Sequence, residues 1–244
     1  MNEFKQLQKW ISESRSMVFF GGAGVSTESG IPDFRSVDGL YRQQYAYPPE
    51  TILSRAFFKK HPEDFFTFYR EKMLKPVVGP GAAMPNAAHK ALAHWEQEGR
   101  LQAVITQNID GLHQKAGSQR VYELHGSVHR NHCLSCGRAF GPETLLRTEG
   151  VPHCPCGGII KPDVVLYGES LDQGTLERSV EAIETADLLL VGGTSLSVYP
   201  AAGLIRYYRG SRLVLINRSA TGYDDQADLR IDGNIGEVLD AVRE

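Results

Sequence analysis

Met17-Val18-Phe19-Phe20-Gly21-Gly22-Ala23-Gly24-Val25-Ser26-Thr27-Glu28-Ser29-Gly30 is the stretch from which the fold can be read. The run 17–20 is apolar at every position, the mark of a strand covered on both faces, as in parallel sheets. It stops at Gly21-Gly22, so the strand empties into a tight loop. Glycines there let backbone N–H groups approach a phosphate, and Ser26 adds a hydroxyl. The loop is no standard fingerprint. A G-x-G-x-x-G turn needs Gly at residue 27, which is Thr, and a Walker loop needs a Gly-Lys-Ser/Thr that is absent. Alone it reads as a nucleotide-phosphate loop or as a tight structural turn. Ile31-Pro32-Asp33-Phe34-Arg35-Ser36 follows directly and sets an acid, an aromatic and a base over the same cleft.

Working outward, the strand pattern repeats. Ala103–Ile105 ends in Thr106-Gln107-Asn108, Val121–Leu124 in His125-Gly126, Leu188–Val191 in Gly192-Gly193-Thr194-Ser195, and Leu213–Ile216 in Asn217. Helical periodicity separates these runs at 86–98, 176–185 and 200–208, and Phe4, Leu7, Trp10 and Ile11 space out an amphipathic helix over about 3–14. Alternating strands and helices predict an α/β fold with a doubly wound parallel sheet, Rossmann-like, whose ligand lies beyond the carboxyl ends of the strands. The polar strand tails are expected to gather there.

Two stretches interrupt the alternation. Residues 36–80, with Phe57, Phe58, Phe65, Phe66, Phe68 and Tyr69 at helical spacing, predict a helical insertion. Residues 129–160 hold all four cysteines and little apolar periodicity, so something other than a hydrophobic core is expected to hold them together. The expected division is 1–35, 81–128 and 161–244 for the nucleotide-binding domain, 36–80 for the insertion, and 129–160 for a zinc-ribbon module. Cys133-x2-Cys136 and Cys154-x-Cys156 supply four thiolates in two close pairs, which suits tetrahedral Zn²⁺ and leaves no open position for substrate. The metal is therefore expected to be structural. The second pair is tighter than the common C-x2-C, and His153 offers an alternative to Cys154. His129 and His132 read as solvated residues, not ligands.

With 41% hydrophobic and 23% charged residues in 244, the chain has the composition of a globular protein, not of a disordered or fibrous one. A net charge of −3 argues against nucleic acid as a principal partner. The longest apolar runs fall far short of the roughly 18 residues a membrane span needs. The N-terminus lacks a signal-peptide core, so a cytoplasmic address is expected.

Taken together, the loop 22–36, Thr106-Gln107-Asn108-Ile109-Asp110-Gly111-Leu112-His113, His125-Gly126, the paired cysteines, Lys161-Pro162-Asp163-Val164-Val165-Leu166-Tyr167-Gly168-Glu169, Gly193-Thr194-Ser195-Leu196 and Ile216-Asn217 resemble the sirtuins, NAD-dependent protein lysine deacylases. The resemblance covers most of the chain and suits a compact bacterial member. It implies NAD as cosubstrate, one structural zinc, and acetylated protein lysines as substrates. It also implies transfer of the acetyl group to ADP-ribose with release of nicotinamide and 2′-O-acetyl-ADP-ribose. Gly22, Ala23, Gly24, Ser26, Gly193, Thr194, Ser195, Asn217 and Arg218 would line the phosphates, ribose and adenine; Asp33, Phe34 and Arg35 would close over the cofactor. Gln107, Asn108, Ile109 and Asp110 would hold nicotinamide and its ribose. His125 would be the general base, with Asn108 beside it as a catalytic residue, and Val164, Val165, Leu166, Tyr167, Gly168 and Glu169 would run beside the peptide as an added strand.

Plain structural readings stand beside these roles. Asp110 fits a helix cap, Asn108 a turn, and His113 a structural hydrogen bonder at a helix start. Gly21 stands where sirtuins commonly carry Thr, with little expected effect on NAD binding. Tyr69 and Lys72 occupy the places where desuccinylating sirtuins carry Tyr and Arg. Lysine keeps the charge but loses the bidentate fork, which implies deacetylation with some tolerance of acidic acyl groups. NAD-dependent oxidoreduction fits the loop poorly. Mono-ADP-ribosyl transfer shares the first bond cleavage and is the closest enzymatic alternative; a nucleic-acid-binding zinc ribbon is the non-enzymatic one. A monomer is expected.

Overall fold

The computed structural model describes residues 2–33, Gly39 and 46–243. Helix α1 (Glu3–Glu13) starts at Asn2, whose side chain accepts the Phe4 N–H, and buries Leu7 and Ile11. Strand β1 (Met17–Gly21) follows, buried at every position. The aromatic stretch folds into α2 (Pro49–Ile52), α3 (Arg55–Lys60) and α4 (Pro62–Tyr69), which runs on into a π-helical turn, Arg70–Leu74. Then come α5 (Ala87–Gln97), β2 (Leu101–Thr106), α6 (Leu112–Ala116), β3 (Val121–Glu123), β4 (Gly126–Cys133), β5 (Ala139–Phe140), α7 (Pro142–Arg147) and β6 (Ile160–Val164). The chain closes with α8 (Gln173–Thr185), β7 (Leu188–Gly192), β8 (Leu213–Asn217), β9 (Leu229–Asp232) and α9 (Ile235–Ala241).

The large sheet has the order β3-β2-β1-β7-β8-β9, and every pair is parallel. The chain winds outward from β1 through β2 and β3, then returns to place β7 on the other flank of β1. Order therefore reverses between β1 and β7, and a crevice opens beyond their carboxyl ends. Residues 200–208 form a 3₁₀ helix, Ala201–Tyr207, where regular helical periodicity was expected. Strand β9 and helix α9 were not anticipated. Leu229–Asp232 is a four-residue edge strand with only Ile231 buried, too short and too open to stand out as an apolar run.

The small unit is an antiparallel sheet, β5-β4-β6, packed against the helical insertion. Its strands extend past 129–160 at both ends: β4 begins one residue after His125, and β6 runs into Val164. Cys133, Leu145, Cys154 and Ile160 share one apolar cluster with Phe57, Phe58, Phe65, Phe66 and Tyr69. A hydrophobic core thus does help to hold the cysteine-bearing stretch, but most of that core comes from the insertion. Arg70 adds a polar tie, donating from Nε to the Leu145 carbonyl at 2.7 Å and from its other arm to the Gly150 carbonyl.

Candidate active site

The glycines of the first loop are set by contact with the loop after β7. The Gly24 N–H donates to the Gly193 carbonyl at 2.8 Å. A Cβ on Gly24 would lie 2.8 Å from Gly193 Cα, and one on Gly193, at φ +60, would lie 2.5 Å from the Val25 nitrogen. The two loops approach at backbone distance, which only glycine permits. At Gly21, a Cβ would stand 2.5 Å from the Phe19 ring, so the space that a threonine would need is already filled.

Two polar networks cross the crevice. In the first, buried Ser26 donates to Asp110 Oδ2 at 2.7 Å and accepts from Asn108 Nδ2 at 3.0 Å. Asp110 Oδ1 accepts the Leu112 N–H at 2.9 Å, so the cap reading and the binding-site reading both apply to one carboxylate. Burial raises the Asp110 pKa above the usual carboxylate range, against the lowering effect of the Leu112 N–H and the Ser26 hydroxyl. In the second network, Gln107 Nε2 donates to Thr194 Oγ1 at 2.9 Å, and Asn217 joins the Thr194 backbone through both ends of its carboxamide, at 3.0 and 2.8 Å. Tails from β1, β2, β7 and β8 are thereby locked together.

His125 follows β3. Its Nδ1 lies 3.0 Å from the Gln107 carbonyl, which can only accept, so Nδ1 carries the proton and Nε2 the lone pair. Burial lowers the His125 pKa, and the Gln107 hydrogen bond opposes that shift; the ring is neutral at pH 7. The same residue's carbonyl accepts the Val165 N–H at 3.0 Å, which brings the stretch 164–169 beside it. The neutral imidazole, with one nitrogen held and one basic, has the chemistry to accept a proton.

Not every expected residue joins these networks. Ser195 is exposed and bonds to Ser197, and Arg218 is exposed. Phe34 and Arg35 lie outside the described residues; Asp33 is half-buried. Ile109 packs on the small unit's core and accepts the Val128 N–H. Tyr69 is fully buried, its ring stacked on Phe65 at 5.7 Å, and its hydroxyl has no hydrogen-bond partner among the described residues. Lys72 is half-buried in the π-helical turn. His113 makes no ring hydrogen bond among the described residues; it is buried against Phe19 and His89, a packing position. His129 is exposed and donates from Nε2 to the Asp110 carbonyl at 2.9 Å.

Three supporting contacts have no signature in the sequence. Asn86 caps α5 through its oxygen and uses its amide nitrogen to hold the Val25 carbonyl at 2.8 Å and Ser29 Oγ at 3.0 Å. Glu28 accepts the Gly236 N–H at 2.7 Å at the start of α9. Thr106 Oγ1 accepts the Asn108 N–H at 3.0 Å. The Asn before an apolar helix was a visible cap signal, but the second end of its side chain was not.

The four cysteine sulfurs all lie within 4.8 Å of one another, with Cys133 and Cys156 at 3.5 Å and Cys136 and Cys154 at 3.7 Å. A tetrahedral zinc with Zn–S bonds of about 2.3 Å needs sulfur separations of about 3.8 Å. The set fits one zinc. A turn closed by the Gly157 N–H on the Cys154 carbonyl, with Gly157 at φ +86, lets the tight C-x-C pair face the first pair. His153 is directed away, with Nδ1 3.1 Å from the Gly157 carbonyl.

A neutral histidine at the rim of a parallel-sheet crevice, next to a second unit tied by four thiols, defines a two-unit, nucleotide-dependent enzyme. The chain belongs to the Sir2 family, whose model matches residues 22–200. It is 58% identical over 246 residues to the NAD-dependent protein deacetylase of Clostridium acetobutylicum, covering 99% of this chain and 98% of that one. With the protein of the same description from Cutibacterium acnes it shares 56% over 241 residues, covering 98% and 97%. Among solved structures, a Sir2 homologue bound to NAD matches with a TM-score of 0.87 at 40% identity, over 98% of this chain and 92% of that one. A Sir2 protein with a deacetylated p53 peptide and 3′-O-acetyl-ADP-ribose matches with 0.88 at 39%, over 98% and 96%.

Proposed function

We propose that this chain removes acetyl groups from protein lysines, consuming NAD and releasing nicotinamide and 2′-O-acetyl-ADP-ribose. The observation that carries the reading is the pairing of Nδ1 of His125 with the Gln107 carbonyl, which leaves Nε2 as base in a ring kept neutral by burial. The residues divide the work. Gly22 and Ala23 offer backbone N–H groups to the diphosphate, while Gly24, Gly193 and Thr194, whose own N–H groups are held by the Gly193 carbonyl, the Ile216 carbonyl and Asn217 Oδ1, allow its close approach. Ser26, Asn108 and Asp110 form a preorganised polar set for the nicotinamide end, and Gln107 and Asn217 hold the opposing loop in register. Much of the rate comes from alignment, because the acetyl oxygen is a weak nucleophile that needs proximity to the ribose carbon. His125 Nε2 then takes the proton of a ribose hydroxyl, a step worth about 10²–10⁴-fold in a typical general-base enzyme.

The stretch Val164–Glu169 serves as the edge along which the acyl-lysine peptide adds as a strand. Cys133, Cys136, Cys154 and Cys156 would hold one zinc, which would supply a structural cross-link and no reactive site. Within 1–35, 81–128 and 161–244 the parallel-sheet parts act as the NAD-binding domain, while 36–80 and 129–160, together with the strand ends 126–128 and 161–164, make up the small unit beside it. Tyr69, whose buried hydroxyl has no partner among the described residues, and Lys72 confer a weaker activity toward succinyl-lysine. A reducing, cytoplasmic setting suits the metal-type cysteine cluster, and no described helix is long and apolar enough to cross a membrane.

The test is incubation with an acetyl-lysine peptide with and without NAD, following nicotinamide and peptide mass. Loss of the acetyl group only with NAD, abolished in His125→Ala, is the expected result. A peptide that gains ADP-ribose would replace this reading with ADP-ribosyl transfer.

A further inference from the structure

Lys161 is the one buried lysine among the described residues, 9% exposed. All three of its ammonium protons have acceptors: the Pro162 carbonyl at 3.3 Å, the Val164 carbonyl at 3.0 Å and Glu169 Oε2 at 3.1 Å. The same Glu169 oxygen accepts the Leu166 N–H at 3.0 Å. One ion pair therefore holds residues 162, 164, 166 and 169. The opposite side of the segment is held by other elements. The Val165 N–H goes to the His125 carbonyl at 3.0 Å, and Tyr167 exchanges two bonds of 2.9 Å with Leu53 and Arg55. Successive N–H groups from 165 to 167 thus alternate between the catalytic histidine's backbone, the ion pair and the helical insertion. Lys161 also lies in β6, where it pairs with His132, next to the Cys133–Ile160 pair.

We propose that Lys161 and Glu169 are positioning residues, an ion pair between a buried lysine and a half-buried glutamate that shapes 164–168 into the peptide-docking edge and ties that edge to the cysteine-clamped sheet. The role rests on the reading of 164–169 as the peptide-binding segment. It assigns Glu169 to the support of the edge and makes acceptance of the acyl-lysine peptide, not of NAD, the quantity the pair controls.

The full-length, zinc-loaded protein is compared with Glu169→Gln, Lys161→Met and the reversed pair Lys161→Glu/Glu169→Lys, by steady-state kinetics and by amide exchange followed with mass spectrometry. Each single variant is expected to raise the KM for acetyl-peptide about tenfold, the effect of one unsatisfied buried polar group, with the KM for NAD within about twofold. Exchange over 164–168 should quicken about tenfold, while zinc content and exchange in β1, β2 and β7 stay as in the wild type. The reversed pair should not rescue, because the Pro162 and Val164 carbonyls need a donor at 161. Rescue by the reversed pair would overturn the proposal, as would a parallel rise in both KM values or loss of zinc, either of which marks a merely structural pair. If the wild type transfers no acetyl group, the functional reading fails. The exchange rates over 164–168 still decide the proposal: unchanged rates in Glu169→Gln would sink it, and selectively faster ones would uphold the shaping role.

Discussion

Acidification should weaken this fold through two imidazoles that are buried uncharged. His89 and His113 lie between α5 and α6 with ring centroids 4.7 Å apart. Burial lowers the His89 pKa from 6.5 to about 4, and burial together with the nearness of His89 holds that of His113 well below 6.5. Both folded-state values are depressed, so the unfolded chain binds more protons below neutrality. The stabilisation is complete above about pH 6.5 and is lost as pH falls toward the folded values. For His89, moving from pH 7.5 to 5.0 changes the folded-to-unfolded ratio by a factor of about 30, or about 2 kcal/mol; His113 acts in the same direction. That is a large fraction of the roughly 5–15 kcal/mol that holds a typical domain. The assay is urea denaturation of wild type and His89→Gln at several pH values across that span, with zinc content measured alongside. Metal loss affects both proteins alike and cancels in the comparison. The variant should lose about 2 kcal/mol less than the wild type between pH 7.5 and 5.0. Equal losses would show that His89 does not titrate as its burial requires.

Other consequences can be checked separately. Ser26→Ala removes a buried hydroxyl that serves both Asp110 and Asn108, and should lower kcat/KM for NAD by about 10- to 100-fold with little change in the KM for peptide; steady-state kinetics with each substrate varied decides it. Chelation should remove one zinc per chain and speed amide exchange in β4 to β6 while β1, β2 and β7 stay protected; folded protein with near-zero zinc would contradict the cysteine assignment. The ratio of succinyl- to acetyl-peptide turnover should fall several-fold in Lys72→Ala through loss of its charge; an unchanged ratio would mean that Lys72 takes no part in choosing the acyl group.

Much of this was legible because the informative positions combine burial with local chemistry. Four of the six parallel strands are runs such as Met17–Phe20 and Leu188–Val191, covered on both faces, so hydrophobicity alone marks them. The cysteine spacing marks a metal site because coordination geometry is tied to chain spacing. Where one face is solvated or the strand is short, as at β9, the same signal disappears.

Site residues divide along a similar line. Ser26, Asn108, Asp110, His125 and Thr194 stand in recognisable local patterns at strand ends, and a doubly wound sheet sends strand ends to one place. Partners across elements have no such signature. The amide of Asn86 on Val25, the carboxylate of Glu28 on α9 and the Lys161–Glu169 tie join residues whose sequence neighbours predict nothing about the contact. The fate of Tyr69 belongs here too, since only packing decides that its hydroxyl is buried beside Phe65. Sequence by itself determined the sheet class, the cleft and the presence of a cysteine metal site, because periodicity and ligand spacing are local properties of the chain, whereas the choice of Cys154 over His153 needed the folded cluster. Tertiary structure alone decided which His125 nitrogen is the base, which side chains support the loops, and that the insertion and the cysteine module share one core, because hydrogen bonds and desolvation depend on what lies across space.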